Sequence, residues 1–265
     1  MSELETRLGL KKMENETDRI PVLRFTQEGK SSVEDIVVRE FRLTIVLNGQ
    51  ELVTLLCSPT KLQYLAVGFL LSEGLVNGKD DIKKTVVDGQ RGVAEVETGD
   101  VIGIPSGRVL ASSGGRSLAS EGIQKVSADP QTQLPASQVF SLMEDFVQCS
   151  RIFKATGGVH SAALCDTKGI LVFSEDIGRH NAIDKIFGEC LLEDLATDNR
   201  IIVTSGRVSF EILLKVARRN IPLLVSKSAP TDLGVKLAND LGITLIGFVR
   251  GKKMNVYTND WRVTG

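Results

Sequence analysis

The sequence predicts an α/β protein: a C-terminal α/β domain on a mainly parallel sheet, preceded by a smaller N-terminal α+β domain. Three observations predict it. From residue 135 onward, strand-like and helical apolar patterns alternate, the order that gives parallel strands joined by right-handed crossovers. The segments RIIVT, IPLLV and ITLIGF are continuous apolar runs, as strands covered on both faces are. Before residue 105 the pattern is instead one of paired strands around a single helix.

Taken in order, residues 1–20 mix both charge signs without an apolar stripe and read as a disordered lead-in. Residues 21–108 form the N-terminal domain. In it, FRLTIVLNGQELVTLLCS (41–58) reads as two strands joined by Asn48-Gly49, since Asn-Gly between alternating apolar residues is a strong hairpin signal. A helix follows, with Leu62, Leu65, Ala66, Phe69 and Leu70 at helical spacing and Ser58 or Thr60 as its cap. Residues 82–104 alternate as strands. The stretch 109–137, rich in Ser, Gly and Ala, reads as a long mobile loop, with 109–134 as the linker between domains. The C-terminal domain, 135–265, opens with a helix. After it come strands 159–165 and 169–174, helix 181–192, strand 200–204, helix 208–219, strand 222–226, helix 230–241 and strand 243–248.

Composition narrows the function. Among 265 residues, 32 Lys and Arg stand against 33 Asp and Glu, so bulk charge gives no footprint for nucleic acid. No segment reaches the roughly 18 apolar residues of a membrane helix. The N-terminus lacks the apolar centre of a signal peptide, which makes the cytoplasm the default. Cys57, Cys149, Cys165 and Cys190 lack the spacing of a metal knuckle or redox motif, and all four read as buried reduced thiols.

The chemistry gathers at the ends of the C-terminal strands. The first turn, FSEDIGRHN, holds Gly178, Arg179, His180 and Asn181. The next, VTSGRVS, holds Ser205, Gly206 and Arg207. The third, VSKSAPT, holds Ser226 and Lys227, and the last, GFVRGKK, holds Arg250, Lys252 and Lys253. Ligands of open α/β sheets bind at the carboxyl ends of the strands, and helix starts there favour anions. Cations from four consecutive turns therefore point to a polyanion, most simply a phosphate-bearing nucleotide. There is no P-loop and no Gly-x-Gly-x-x-Gly, so the site is not a standard ATP or NAD cradle.

Other groups are open to two readings. Glu175, Asp176, Asp184 and Asp232 could accept hydrogen bonds from a guanine edge, or cap helices and pair with Arg179 and Lys185. His160 and His180 read as ligand-contacting or structural. Two histidines with remote cysteines do not form a zinc site, and the His-x-Glu and Pro-Cys-x-x-Cys of zinc deaminases are absent.

The segments CSPTKLQYLAVGFLLSEGLV, TGGVHSAAL, EDIGRHNAIDKIFG, TSGRVSFEILLKVARRNIPLLVSKSAPTDLGVKLAN and GITLIGFVRGKKMNVYT resemble the formate dehydrogenase accessory sulfurtransferases, the FdhD family, from about residue 35 to the C-terminus. The resemblance implies a cytidine-deaminase-like C-terminal domain without zinc and a cytoplasmic protein that is often a homodimer. It implies sulfur taken as a persulfide from a cysteine desulfurase and passed to the molybdenum bis(guanine dinucleotide) cofactor before that cofactor enters formate dehydrogenase. The cofactor is then a bound substrate, and GDP is its simplest mimic. The family's cofactor-binding segment falls on Phe248, Val249, Arg250, Gly251, Lys252 and Lys253. One departure stands out: the family's persulfide loop carries Cys-Gly-x-Cys-Gly, and here its two cysteine positions fall on Gly114 and Ser117. Neither residue can hold a persulfide, because only a thiolate attacks sulfur in exchange chemistry.

Three functions follow. One is sulfur delivery to the cofactor through another thiol. The second is a cofactor-binding chaperone or scaffold that has lost the sulfur relay. The third, an unrelated nucleotide-using enzyme, lacks a nucleophile–base–acid arrangement to support it.

Overall fold

The structure is a computed structural model that describes residues 15–99, 125–126 and 133–265. The expected loop lies largely outside these residues, as do Gly114 and Ser117. The lead-in is shorter than expected: Thr17–Ile20 already belong to β1 (Thr17–Thr26), which pairs with β2 (Gly29–Val38) in an antiparallel ribbon. Most of this ribbon is exposed, Phe25 included at 72%.

Strands β3 (Phe41–Leu47) and β4 (Gln50–Cys57) form the Asn-Gly hairpin, with φ of 50° at Asn48 and 79° at Gly49. Positive φ at both central residues is what a type I′ turn requires. With β5 (Ile82–Asp88) and β6 (Val93–Thr98) they make a four-stranded sheet in the order β4-β3-β6-β5. Helix α1 (Leu62–Glu73) packs beneath it. Neither expected cap serves α1. The Ser58 hydroxyl accepts from Ile177 N at 3.2 Å, and Thr60 Oγ1 donates to Glu16 at 2.8 Å.

The C-terminal half begins with the two-residue strand β7 (Leu134–Pro135), α2 (Ala136–Cys149) and α3 (Arg151–Thr156). A six-stranded sheet follows. Its members are β8 (His160–Cys165), β9 (Ile170–Asp176), β10 (Ile201–Thr204), β11 (Leu223–Ser226), β12 (Thr244–Arg250) and β13 (Lys253–Thr258), in the order β13-β12-β11-β10-β8-β9. Between them run α4 (Arg179–Leu192), α5 (Phe210–Ala217) and α6 (Asp232–Leu241). The short β14 (Val263–Thr264) returns to pair with β7.

The expectation of a mainly parallel sheet narrows here to the three central strands. Strands β10, β11 and β12 are parallel, while β8–β9, β8–β10 and β12–β13 are antiparallel. The cause is loop length. Only a few residues separate β8 from β9 and β12 from β13, enough for a hairpin but not for a crossover.

Alternate residues of the sheet face two apolar clusters. Ala162, Leu164, Ile202, Leu224 and Leu245 face α4, α5 and α6, whereas Ala163, Ile201, Val203, Leu223 and Val225 face α2. That is why these strands read as unbroken apolar runs. Helix α2 presents Val139, Leu142, Met143 and Phe146, one helical face, to its cluster.

The larger cluster continues past α4 through α1 to Leu43, Ile45 and Val96 of the four-stranded sheet. The joint is the crossing of α1 with α4, where Gly68 meets Gly188. A methyl built on Gly188 would overlap the Tyr64 carbonyl and stand 2.8 Å from Gly68 N. Backbone therefore touches backbone. Two buried ion pairs flank the crossing. Lys185 Nζ lies 2.7 Å from Asp176 Oδ2, with both side chains wholly buried. Lys215 Nζ lies 2.6 Å from Asp184 Oδ2, and Ser72 Oγ donates to the same carboxylate. At the free edge of the six-stranded sheet, Lys61 donates to Phe173 O at 2.8 Å and Lys185 to Glu175 O at 3.4 Å.

Candidate functional site

Because β8 runs against β9 and β10, β10–β12 run together and β13 turns back from β12, one end of the sheet collects six strand termini. They are the starts of β8 and β13 and the ends of β9, β10, β11 and β12. The turns leaving them are bonded to one another. Ser161 N donates to Ser205 Oγ at 2.9 Å, Lys227 N to Thr204 O at 3.0 Å and Ser226 Oγ to Gly206 O at 2.8 Å. Phe248 N donates to Ser228 O at 3.1 Å and Arg250 Nε to Lys227 O at 3.3 Å. Gly206 is needed as glycine, since a methyl there would stand 2.9 Å from Arg179 Cβ. Arg179 lies across that bare backbone.

Arg179, His180, Ser205, Gly206, Arg207, Ser226, Lys227 and Arg250 thus share this end of the sheet. The others are placed differently. Gly178 N donates to Asp176 Oδ1 at 2.8 Å, and Asn181 turns inward, its amide donating to Leu56 O and Asp176 Oδ1. Val249 is fully buried in the apolar cluster, so only its backbone lies near the site. Phe248 has φ 53° at a register shift in β12 and is 39% exposed, with the Arg250 guanidinium 5.8 Å from its ring centroid. Left-handed backbone at a bulky residue is strain that the surroundings must hold. Gly251, Lys252 and Lys253 form the exposed turn into β13.

The carboxylates resolve differently. Asp176 and Asp184 sit in the buried ion pairs, and Glu175 accepts from Ile152 N and Phe153 N at 3.0 Å each. Asp232 lies in the first turn of α6, whose cap is Thr231, accepting from Gly234 N. The acid at the site is Glu211, whose Oε2 is 3.7 Å from His180 Nε2. It follows Ser-Gly-Arg in the first turn of α5, where an acid reads simply as a helix-dipole partner.

The site is positive and incompletely satisfied. Burial, then the neighbouring Arg207 charge, pull the Arg179 pKa down, and Glu211 opposes them. Burial, Arg179 and Arg207 lower His160. Burial, Lys215, Arg179 and His160 push His180 down to about 3, so it is neutral at pH 7. Arg179 Nε, His180 Nε2 and Ser209 Oγ are buried without a hydrogen-bond partner among the described residues. Paired cations and orphaned polar atoms are both relieved by an anion that brings acceptors.

Comparison with known proteins gives one answer. Residues 38–264 match the FdhD/NarQ family. The sulfur carrier protein FdhD of Bacillus subtilis (strain 168) is 43% identical over 256 residues, covering 91% of this chain and 95% of its own. The sulfur carrier protein FdhD of Listeria innocua is 40% identical over 256 residues, covering 93% and 98%. A crystal structure from Desulfotalea psychrophila, described as a formate dehydrogenase accessory protein, superposes with a TM-score of 0.80 at 26% identity, covering 94% of this chain and 99% of that one. The chain belongs to the FdhD/NarQ family.

Proposed function

We propose that the chain is a sulfur carrier serving formate dehydrogenase. It accepts sulfur from a cysteine desulfurase and holds the molybdenum bis(guanine dinucleotide) cofactor, as substrate, at the basic end of the six-stranded sheet. The names of the relatives support the carrier role, and the site supports the cargo. The observation that carries the binding reading is the pairing of Arg179 and Arg207 beside orphaned Arg179 Nε and His180 Nε2. The cargo's pyrophosphates supply the missing negative charge and acceptors. Lys227 and Arg250 extend the positive strip, the exposed Phe248 ring offers a face for a base, and Glu211 offers acceptors for its edge.

Calorimetry with GDP tests this. Arg207→Ala and Lys227→Ala should each weaken binding by about 1.5–3 kcal/mol, the worth of one charge-assisted contact. Affinity should also fall as salt rises. Unchanged affinity in both variants would remove the site. The reading includes a homodimer working in the cytoplasm, which sedimentation of the purified chain and cell fractionation address.

One observation favours a second reading. Gly114 and Ser117 occupy the loop positions where the sulfur-bearing thiols are expected, which suits a cofactor scaffold without a relay. Incubation with a cysteine desulfurase and ³⁵S-cysteine separates the two: a chain that binds GDP yet acquires no label is a scaffold.

A further inference from the structure

A sulfur carrier needs a thiol that a donor can reach, and this chain has four candidates. Cys57, Cys165 and Cys190 are buried, and burial is the first cause that pushes each thiol up to about 12. None of the three can present a thiolate to another protein. Cys149 alone is exposed.

Its surroundings form a site. Cys149 ends α2 on the wall of a cavity of about 440 Å³, together with Lys61, Arg151, Phe173, Ser174 and Glu175. Of the two cations, Lys61 is engaged, 2.5 Å from Glu189 Oε2. Arg151 makes no ion pair among the described residues and is exposed. It can meet an anionic sulfur.

The cavity also adjoins the basic end of the sheet. Phe153, in the short helix α3 that follows Cys149, lies under the Lys227 ammonium at 5.9 Å. Its N–H is held by Glu175, which lines the cavity. Phe153, four residues after Cys149 in the chain, thus links the wall of the cavity to Lys227.

We propose that Cys149 is the sulfur-bearing residue of this chain and that the cavity beside it receives the donor's persulfide. The assignment rests on the sulfur-carrier reading above. In the loading step the Cys149 thiolate attacks the outer sulfur of a protein persulfide, R–S–S–H. A new S–S bond forms to Cys149 as the donor's S–S bond breaks, and the donor leaves as the thiolate R–S⁻. The proton stays on the transferred sulfur, giving Cys149–S–S–H. One S–S bond replaces another with no net oxidation, so no further reagent is required.

The test loads the full chain in two ways, with a cysteine desulfurase and ³⁵S-cysteine, and with glutathione persulfide. Label should appear on the native chain and on Cys57→Ser, Cys165→Ser and Cys190→Ser, and fall to background in Cys149→Ser. Peptide mass spectrometry should place the added sulfur on the peptide containing Cys149. Arg151→Glu should slow loading by the glutathione persulfide anion while leaving the thermal midpoint unchanged. Label retained in Cys149→Ser would overturn the assignment and leave the carrier reading intact. A native chain that takes no label from either donor would overturn both. Because Cys149 is exposed, its serine variant is expected to fold, and its GDP affinity serves as the check.

Discussion

Gly188→Ala places one methyl at the crossing of α1 and α4, and the structure sets its effect. The new carbon would overlap the Tyr64 carbonyl oxygen and stand 2.7 Å from its carbon and 2.8 Å from Gly68 N. Carbon atoms pack comfortably at about 3.5 Å, so the helices must part by at least ~0.8 Å. Every atom met is backbone and none can rotate away. Overpacking of this kind costs typically about 1–3 kcal/mol, with the upper end expected where backbone meets backbone. Alanine returns up to ~1 kcal/mol of helix propensity, leaving a net loss of about 2 kcal/mol. Urea denaturation should show a lower midpoint at an unchanged slope. The control is Gly89→Ala, where no atom lies within 4 Å of the added methyl and φ is not positive, so stability should stay within about 0.5 kcal/mol. Since α4 begins with Arg179 and His180, parting the helices should also weaken GDP binding. A Gly188→Ala protein as stable as the parent, or more so, would refute the close crossing.

Two further outcomes follow from buried charge. Lys185→Met removes the counter-charge of the wholly buried Asp176 and leaves it only the N–H donors of Ser58, Gly178 and Asn181; breaking such a pair costs about 3–5 kcal/mol, so the urea midpoint should fall, whereas a midpoint near the parent's would mean that those donors hold Asp176 without the lysine. His180 is held well below its ordinary value, at about 3, and the unfolded chain titrates near pH 6.5. Because the folded state binds the proton less readily, this group's contribution is complete above about pH 6.5 and is lost as pH falls toward 3, by up to ~1.4 kcal/mol per pH unit. Thermal melts from pH 7 to pH 4 should therefore fall less steeply for His180→Gln than for the parent, and equal slopes would argue against a buried neutral imidazole.

Much of the site-bearing half is legible in the sequence, for identifiable reasons. The runs around Ile201, Leu223 and Leu245 are apolar at every position because both faces of those strands are covered, and the turns after them carry Arg207, Lys227 and Arg250 at one end of the sheet. The Asn48-Gly49 hairpin is legible because positive φ at consecutive positions selects that pair. The direction of β8 against β9 is recoverable from the four-residue connection at 166–169, too short for a crossover. The β1–β2 ribbon is harder to see: nearly all its side chains are exposed, so no buried face imposes a period. Glu211 escapes notice because its partner His180 lies on another helix. Cys149 differs from the other cysteines only in exposure, which depends on where α2 ends.

The lysines that reach the outer strand of the six-stranded sheet have a consequence for self-association. Lys61 and Lys185 occupy the Phe173 and Glu175 carbonyls, acceptors that an incoming strand would need in order to extend the ladder. The sheet is blunted there, and neighbouring copies cannot zip together through β9 into fibres. Strand pairing between chains is thereby turned away from β9, which leaves the Cys149 cavity, opening beside that same strand, unobstructed by it.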